Sequence, residues 1–293
     1  MHRLYVRQCG TQERSGVAMA VSSSADDVQP LPSADEVQPL PSAEERTHRK
    51  AVPPLVSGPM ALPVDLRATR LIPNHMIDEL TAFVATVLGC SPDDLPRLHE
   101  LPDGLKCSQG QFRHDVFSKR WATRLRSDAP LRAQLSALTR KFVLRHGPLA
   151  FGESHAANGF IFQAEPSLRI HMPGVRPLGV PHKDADYFHQ PGEVNLWVPL
   201  TPCHGSNSLF CESSPGAADY TAFNAGPGDV CRFWGNQCLH FTVRNDTSIT
   251  RVSLDVRVVP RSLHCDDWAS PKGRACFRLG GYYESCGGPE AEP

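Results

Sequence analysis

The sequence predicts a mainly β fold: a jelly roll, or cupin-like barrel, of short strands with helices packed on one sheet. Three observations predict it. From Gly159 to Pro260 the chain breaks into short runs rich in Val, Phe, Trp and Thr, separated by Gly, Pro and Asn. Such even punctuation is the signature of sandwich and barrel folds. Upstream, between Asn74 and Gly147, apolar residues recur at helical rather than strand spacing. The first 60 residues follow neither period.

Residues 1–60 read as a disordered tail. They contain a tandem repeat, DDVQPLPSA at 26–34 and DEVQPLPSA at 35–43. Proline at this density excludes helix and central strand, and few large apolar side chains are present to offset the entropy of ordering. In the first 20 residues His2, Arg3, Arg7 and Arg14 stand against a single acid, Glu13, which also suits an organelle transit segment, but no clear amphipathic helix accompanies them. The ordered domain is expected over 61–262, with a helical buttress at 70–150, a jelly-roll core at 158–262, and a C-terminal extension at 263–293 that folds back on the barrel.

The first helix is expected over 74–89, with Asn74 as N-cap, Ile77, Leu80, Val84 and Val87 on one face, and Gly89 as stop signal. Residues 92–107 are proline-rich and read as irregular. A second helix around 111–125 groups Val116, Phe117 and Trp121. Asp128 opens a third, with Leu131, Leu135, Leu138 and Phe142 on one side and Gly147 at its end. These helices are expected to cover the outer face of one sheet. Eight strands then follow: Phe160–Ala164, Leu168–Met172, Val180–Tyr187, Val194–Leu200, Ser208–Glu212, Val230–Trp234, His240–Arg244 and Arg251–Val259. Gly226-Pro227-Gly228-Asp229 and Asn245-Asp246 are turns between them.

The chemistry-bearing residues lie in the second half of this core. On a strand, residues two apart face the same way, so His182 and Asp184 present an imidazole and a carboxylate side by side. His240 follows several strands later. Two histidines and one carboxylate on one face of a metal form the facial triad of non-haem Fe(II) oxygenases, with positions left open. The open positions suit a chelating 2-oxo acid and then O2. Arg251 suits a distal carboxylate, which a guanidinium grips through two parallel hydrogen bonds, and Ser253 shares its face. On that strand Val252, Leu254, Val256 and Val258 alternate with the polar residues. Lining a wet cavity and facing bulk water both produce this pattern, and Asp255 and Arg257 on the polar face suit pairing with each other.

The order H-x-D, H, R-x-S resembles the Fe(II)/2-oxoglutarate-dependent dioxygenase superfamily. HKDADYFHQPGEVNLWVPLTPCHGSNSLFCES, with TRVSLDVRVVP, is similar to the streptomycin-biosynthesis-type oxygenases and, more distantly, to the phytanoyl-CoA hydroxylases. The resemblance covers about residues 158–262, extends to FRLGGYY at Phe277–Tyr283, is weak over 70–157 and is absent over 1–60. It implies a double-stranded β-helix, Fe(II) held by His182, Asp184 and His240, and 2-oxoglutarate held by Arg251. The carboxylate of Asp184 favours hydroxylation or another oxidation over halogenation, since the related halogenases have a small residue there that frees a site for chloride. It also implies that Asn207 and Glu212 run beside the substrate.

Further candidates come from strand alternation. Arg169 and His171 share a face that suits either a ligand contact or a structural ion pair. Asn195 suits the C1 carboxylate of the 2-oxo acid, and Trp197 a pocket wall. Tyr187, His189 and Gln190 read as a loop over the site or a solvated loop, and Lys183 points away. The polar candidates favour a small hydrophilic substrate, and the resemblance implies a sugar, an aminocyclitol or an amino-acid-like metabolite. A formal charge of −1 over 293 residues implies no general attraction to nucleic acid or anionic membrane. No apolar run reaches the roughly 18 residues of a membrane span. The ten cysteines form no C-x-x-C, and Cys203, Cys211 and Cys231 read as small hydrophobes in a reducing, cytoplasmic setting. Two alternatives use the same barrel: a cupin-type metalloenzyme without 2-oxo acid, for which Arg251 has no task, and a non-catalytic jelly-roll binding protein.

Overall fold

The computed structural model of the chain describes residues 75–105, 116–268 and 277–288. The expected tail at 1–60 and the N-cap Asn74 lie outside them. Helix α1, His75–Leu88, buries Ile77, Leu80, Val84 and Val87 and stops at Gly89, whose φ of +76° a glycine adopts freely. A 3-10 helix at Pro92–Arg97 and a short helical turn at Pro102–Leu105 occupy the stretch read as irregular. Helix α2, Val116–Ser127, places Phe117, Trp121 and Leu125 on one buried stripe.

Helix α3, Ala129–Phe151, is capped by Asp128, which accepts a hydrogen bond from the Leu131 N–H at 2.9 Å. It does not end at Gly147. It runs through Gly147 and Pro148 to Phe151, and the Gly152 N–H closes it on the Pro148 carbonyl at 2.7 Å. Gly147 serves close packing instead: a Cβ there would lie 2.6 Å from the Phe160 ring.

Nine strands follow among the described residues: β1 Phe160–Gln163, β2 Ser167–His171, β3 Val194–Pro199, β4 Phe210–Cys211, β5 Thr221–Ala222, β6 Cys231–Phe233, β7 His240–Phe241, β8 Arg251–Pro260 and β9 Tyr283–Cys286. They form two antiparallel sheets. The larger has the order β6-β3-β8-β1-β9, with β2 also on β8, and the smaller the order β5-β4-β7. β2 and β1 lie end to end along one edge of β8, and β3 lies along the other.

Period-2 alternation sorts the larger sheet into two faces. Val252, Leu254, Val256 and Val258 of β8 meet Val194, Leu196 and Val198 of β3, Phe160 and Phe162 of β1, and the apolar stripes of α1, α2 and α3 in one core. The helices thus cover the outer face. The inner face carries Trp197, Cys231 and Phe233, which pack with Cys211, Phe223 and Cys238 of the smaller-sheet side. Trp197 stacks on Phe223 with centroids 5.7 Å apart. This is the two-sheet jelly-roll arrangement. Fully burying a Val, Leu or Phe contributes about 1.5–3 kcal/mol, so each layer gains from a different half of the same strands.

Further features depart from expectation. Val180–Tyr187 is no strand: His182 alone bridges to His240, through backbone bonds of 3.0 and 3.2 Å, and the chain then turns into a 3-10 helix at Asp184–Tyr187. β5 and β9 were not anticipated. β5 is two residues long, too short to show a period. β9 follows two glycines and takes the far edge beside β1. The strand beginning at His240 is also shorter than expected. Beyond Phe241 the chain bonds to the 174–178 loop instead, with the Leu178 N–H on the Thr242 hydroxyl at 2.7 Å and the Asn245 N–H on the Val175 carbonyl at 3.0 Å. No helix among the described residues is long and apolar enough to cross a membrane.

Candidate metal centre

β8 is the floor of the site. All ten of its residues are buried, so its polar face lines the molecule's interior and not bulk water. In register across the floor, Arg251 lies opposite His171, Ser253 opposite Arg169 and Pro199, Asp255 opposite Ser167 and Trp197, and Arg257 opposite Asn195.

Above this floor His182, Asp184 and His240 converge, each offering a ligand atom within 4.8 Å of the other two. The convergence does not come from strand alternation. The His182–His240 bridge sets the two imidazoles side by side, with ring centroids 4.4 Å apart, and the 3-10 turn then swings Asp184 beneath them. Asp184 Oδ1 is 3.9 Å from His182 Nε2 and 3.8 Å from His240 Nε2.

The donor set fits a metal ion. His182 Nδ1 lies 2.8 Å from the Val180 carbonyl and His240 Nδ1 lies 3.1 Å from the Cys238 carbonyl. A carbonyl only accepts, so each Nδ1 carries the proton and each Nε2 keeps its lone pair toward the centre. Burial lowers the pKa of His182 to about 4, with the neighbouring His240 adding to the effect, and burial likewise lowers that of His240. Both rings are therefore neutral ligands at neutral pH. For Asp184 burial opposes ionisation, but the Arg257 guanidinium, with His240 and His189, overrides it and holds the carboxyl well below the usual range.

Asp184 has partners that the spacing did not disclose. Arg257 Nε donates to Oδ2 and Nη2 to Oδ1, both at 2.9 Å, and Asn195 Nδ2 donates to Oδ2 at 3.0 Å. The same Asn195 amide reaches Asp255 at 3.2 Å, and Arg257 also bonds Gln163 at 3.3 Å and lies 3.6 Å from Asp255. Asn195 thus has its donors on two carboxylates of the chain, where a contact to the 2-oxo acid was expected. The available signal was the polar face Arg251, Ser253, Asp255, Arg257, read only as a local pair at its end.

The opposite end of β8 holds a second buried cation. Arg251 is 2 % exposed, and its Nε and Nη1 have no hydrogen-bond partner among the described residues, nor does Ser253 Oγ. Burial pulls the Arg251 pKa down to about 10, which leaves the guanidinium charged at neutral pH. A buried unpaired cation is costly, so the pair is suited to an incoming carboxylate. His171, across the strand pair, is buried with Nε2 on the Val175 carbonyl at 3.0 Å. Arg169 is half-buried beside Ser253.

Other candidates lie elsewhere. Asn207 is buried in a 3-10 turn, accepting from the His204 N–H at 2.8 Å and donating to the Pro202 carbonyl at 3.2 Å. Glu212 accepts from the backbone of Leu239 at 2.7 Å, Ala218 at 3.2 Å and Gly216 at 3.3 Å, organising that loop. Their polar groups serve the turn and the loop, not the space above the floor. Trp197 is buried between the sheets. Tyr187 does approach the centre, its ring edge-on to His182 at 5.1 Å. His189 and Gln190 are buried, not a solvated loop: His189 pairs with Glu193 at 2.9 Å, and Tyr283 of β9 bonds the same carboxylate. Lys183 is half-buried, and its N–H bonds Asp186 at 3.0 Å.

Fold and site together define a two-sheet β protein with a constellation of two imidazoles and one carboxylate, His182 half-buried and Asp184 and His240 buried, of a kind that holds a divalent metal. Comparison with known proteins adds relatives. Over 124 residues the chain is 39% identical to the streptomycin biosynthesis protein StrG of Streptomyces griseus, a match spanning 42% of this chain and 59% of that protein. No family model matches the chain. Among solved structures, it is similar to the nickel complex of the non-heme monooxygenase ThoJ, at 15% identity and a TM-score of 0.39 over 78% of this chain and 86% of that one. It is similar to the non-heme alpha-ketoglutarate-dependent epimerase SnoN from nogalamycin biosynthesis, at 17% identity and a TM-score of 0.35 over 52% and 70%. A third is CytC3 with Fe(II) and alpha-ketoglutarate, at 13% identity and a TM-score of 0.37 over 67% and 73%.

Proposed function

We propose that the chain is an Fe(II)- and 2-oxoglutarate-dependent dioxygenase that hydroxylates a small polar metabolite, with succinate and CO2 as co-products. The observation that carries the reading is the convergence of His182, Asp184 and His240 with both Nε2 atoms free to ligate. The likeness to a streptomycin biosynthesis protein supports a substrate of the sugar, aminocyclitol or amino-acid-like class. In this reading 61–262 is one oxygenase domain, to which 277–288 adds an edge strand, and the enzyme works in the cytoplasm.

His182, Asp184 and His240 would hold the iron. Bound iron, with 2-oxoglutarate and O2, would supply the oxidising chemistry, one oxygen atom going to a C–H bond of the substrate and the other to succinate as CO2 leaves. The chain supplies geometry. Arg251 and Ser253 bind the distal carboxylate of 2-oxoglutarate through charge-assisted hydrogen bonds. Arg257 and Asn195 fix the Asp184 carboxylate. The carbonyls of Val180 and Cys238 fix the imidazole tautomers. Arg169 and Tyr187 orient the polar substrate, and the packed inner face of the sheet keeps bulk water from the reacting atoms.

The test is succinate release from 2-oxoglutarate by protein loaded anaerobically with Fe(II), screened over sugars, aminocyclitols and amino acids. Wild-type protein should release succinate, faster with the right substrate, and Asp184→Ala should fall to background. Full succinate release by Asp184→Ala, or none by iron-loaded wild type over the whole panel, rejects the reading.

A further inference from the structure

We infer that Arg257 is a positioning residue that forces Asp184 to bind the metal through Oδ1 alone. The inference rests on the metal reading above and adds to it how the carboxylate is presented.

The lone pairs of Asp184 limit how it can bind a metal. An ionised carboxylate has two oxygens with about two acceptor sites each. Oδ2 receives Arg257 Nε at 2.9 Å and Asn195 Nδ2 at 3.0 Å, and is filled. Oδ1 receives Arg257 Nη2 at 2.9 Å and keeps one site. Oδ1 is also the oxygen that faces both ligating nitrogens, 3.9 Å from His182 Nε2 and 3.8 Å from His240 Nε2. A two-pronged guanidinium occupies the open edge of the carboxylate, between its oxygens. A metal chelated by both oxygens needs that same edge. The two modes exclude each other, and the cations repel besides. The fork is itself held: Arg257 is buried, it is bonded to Gln163 at 3.3 Å, and Asp255 lies 3.6 Å away.

The consequence concerns the open positions. A six-coordinate metal with three protein donors keeps about three sites, enough for a chelating 2-oxo acid and one more ligand. Were Asp184 to chelate, one site would be lost. Arg257 therefore keeps a coordination site free without touching the metal.

The experiment counts inner-sphere waters on bound Mn(II) by water-proton relaxation, at saturating protein and without co-substrate. Wild type should show about three. Arg257→Gln, which cannot cover both oxygens, should still bind Mn(II) but lose about a third of the inner-sphere relaxation. Arg257→Lys, which keeps the charge but not the fork, should fall likewise. Unchanged hydration in a folded Arg257→Gln or Arg257→Lys overturns the inference, as it would if Arg257 only stabilised the fold. A crystal structure of wild type with Mn(II) decides independently of any variant. Oδ1 alone on the metal with Oδ2 on Arg257 supports the inference, and both oxygens on the metal overturn it. If wild type binds no Mn(II), the metal reading itself fails, a result distinct from both.

Discussion

Arg251 and Arg257 sit on the same face of one strand and have opposite circumstances. Arg257 is matched by Asp184, Asp255 and Gln163, whereas Arg251 has Nε and Nη1 unbonded among the described residues. Removing a matched buried charge leaves its partner stranded and is strongly destabilising, while removing an unmatched one need cost nothing. Arg251→Met should therefore unfold at the same urea concentration as wild type or a higher one, when 2-oxoglutarate is absent. The same variant should raise the 2-oxoglutarate concentration for half-saturation by about 10–100-fold, the equivalent of losing charge-assisted bonds worth about 1.5–3 kcal/mol. A lowered unfolding midpoint with unchanged 2-oxoglutarate saturation would show that Arg251 is a structural residue. Gly235 belongs to this scale too. Its carbonyl accepts from the Asp184 N–H at 2.8 Å, and a Cβ there would lie 2.6 Å from Asn195 Oδ1, so only glycine lets the turn approach the floor this closely.

Among the elements, α3 tests whether packing outweighs propensity. Gly→Ala inside a helix ordinarily stabilises by about 1 kcal/mol. At Gly147 the added methyl meets the Phe160 ring of β1 at 2.6 Å, and overpacking costs about 1–3 kcal/mol. Gly147→Ala should lower stability in urea denaturation, and Phe160→Leu in the same chain should recover part of the loss. A stabilised Gly147→Ala would mean that the α3–β1 contact yields easily. The same contact explains why the helix end was misplaced from sequence: glycine marks both a stop and a close approach, and only the partner ring distinguishes them. Strands β1, β3, β6 and β8 were legible because both of their faces are buried on a period of two. The convergence of His182, Asp184 and His240 was legible as residue types in order, but its cause was not. Alternation assigned them to a strand, whereas a single bridge and a 3-10 turn bring them together. Arg257 and Asn195 were visible as polar positions on the right faces. Their common partner lies on a turn outside the sheet register, so no spacing rule connects them to Asp184.

Over the whole molecule, burying neutral imidazoles ties stability to pH. Burial lowers the pKa of His146, His171 and His182 to about 4 each, and lowers that of His240. The unfolded chain protonates these rings near 6.5. Between these limits the unfolded state binds more protons than the folded state, so stability rises with pH. It is therefore fully present above pH 6.5 and lost as pH falls toward 4, at up to about 1.4 kcal/mol per pH unit for each ring. Asp255, whose pKa burial raises, works the other way above pH 3.8 and offsets part of the loss. Asp184, held low by Arg257 against its burial, adds a further loss only below pH 3.8. His146 isolates one ring's share, because it lies in α3 away from the metal centre, packed on Phe142 at 4.5 Å, with neither ring nitrogen bonded among the described residues. His146→Leu should match or exceed wild type in urea at pH 7.5. Its midpoint should also fall less steeply between pH 6.5 and 4.5, since one proton fewer distinguishes the two states. Parallel midpoint–pH curves for the two proteins would show that His146 takes up its proton inside the fold, and would remove it from the set of buried neutral rings.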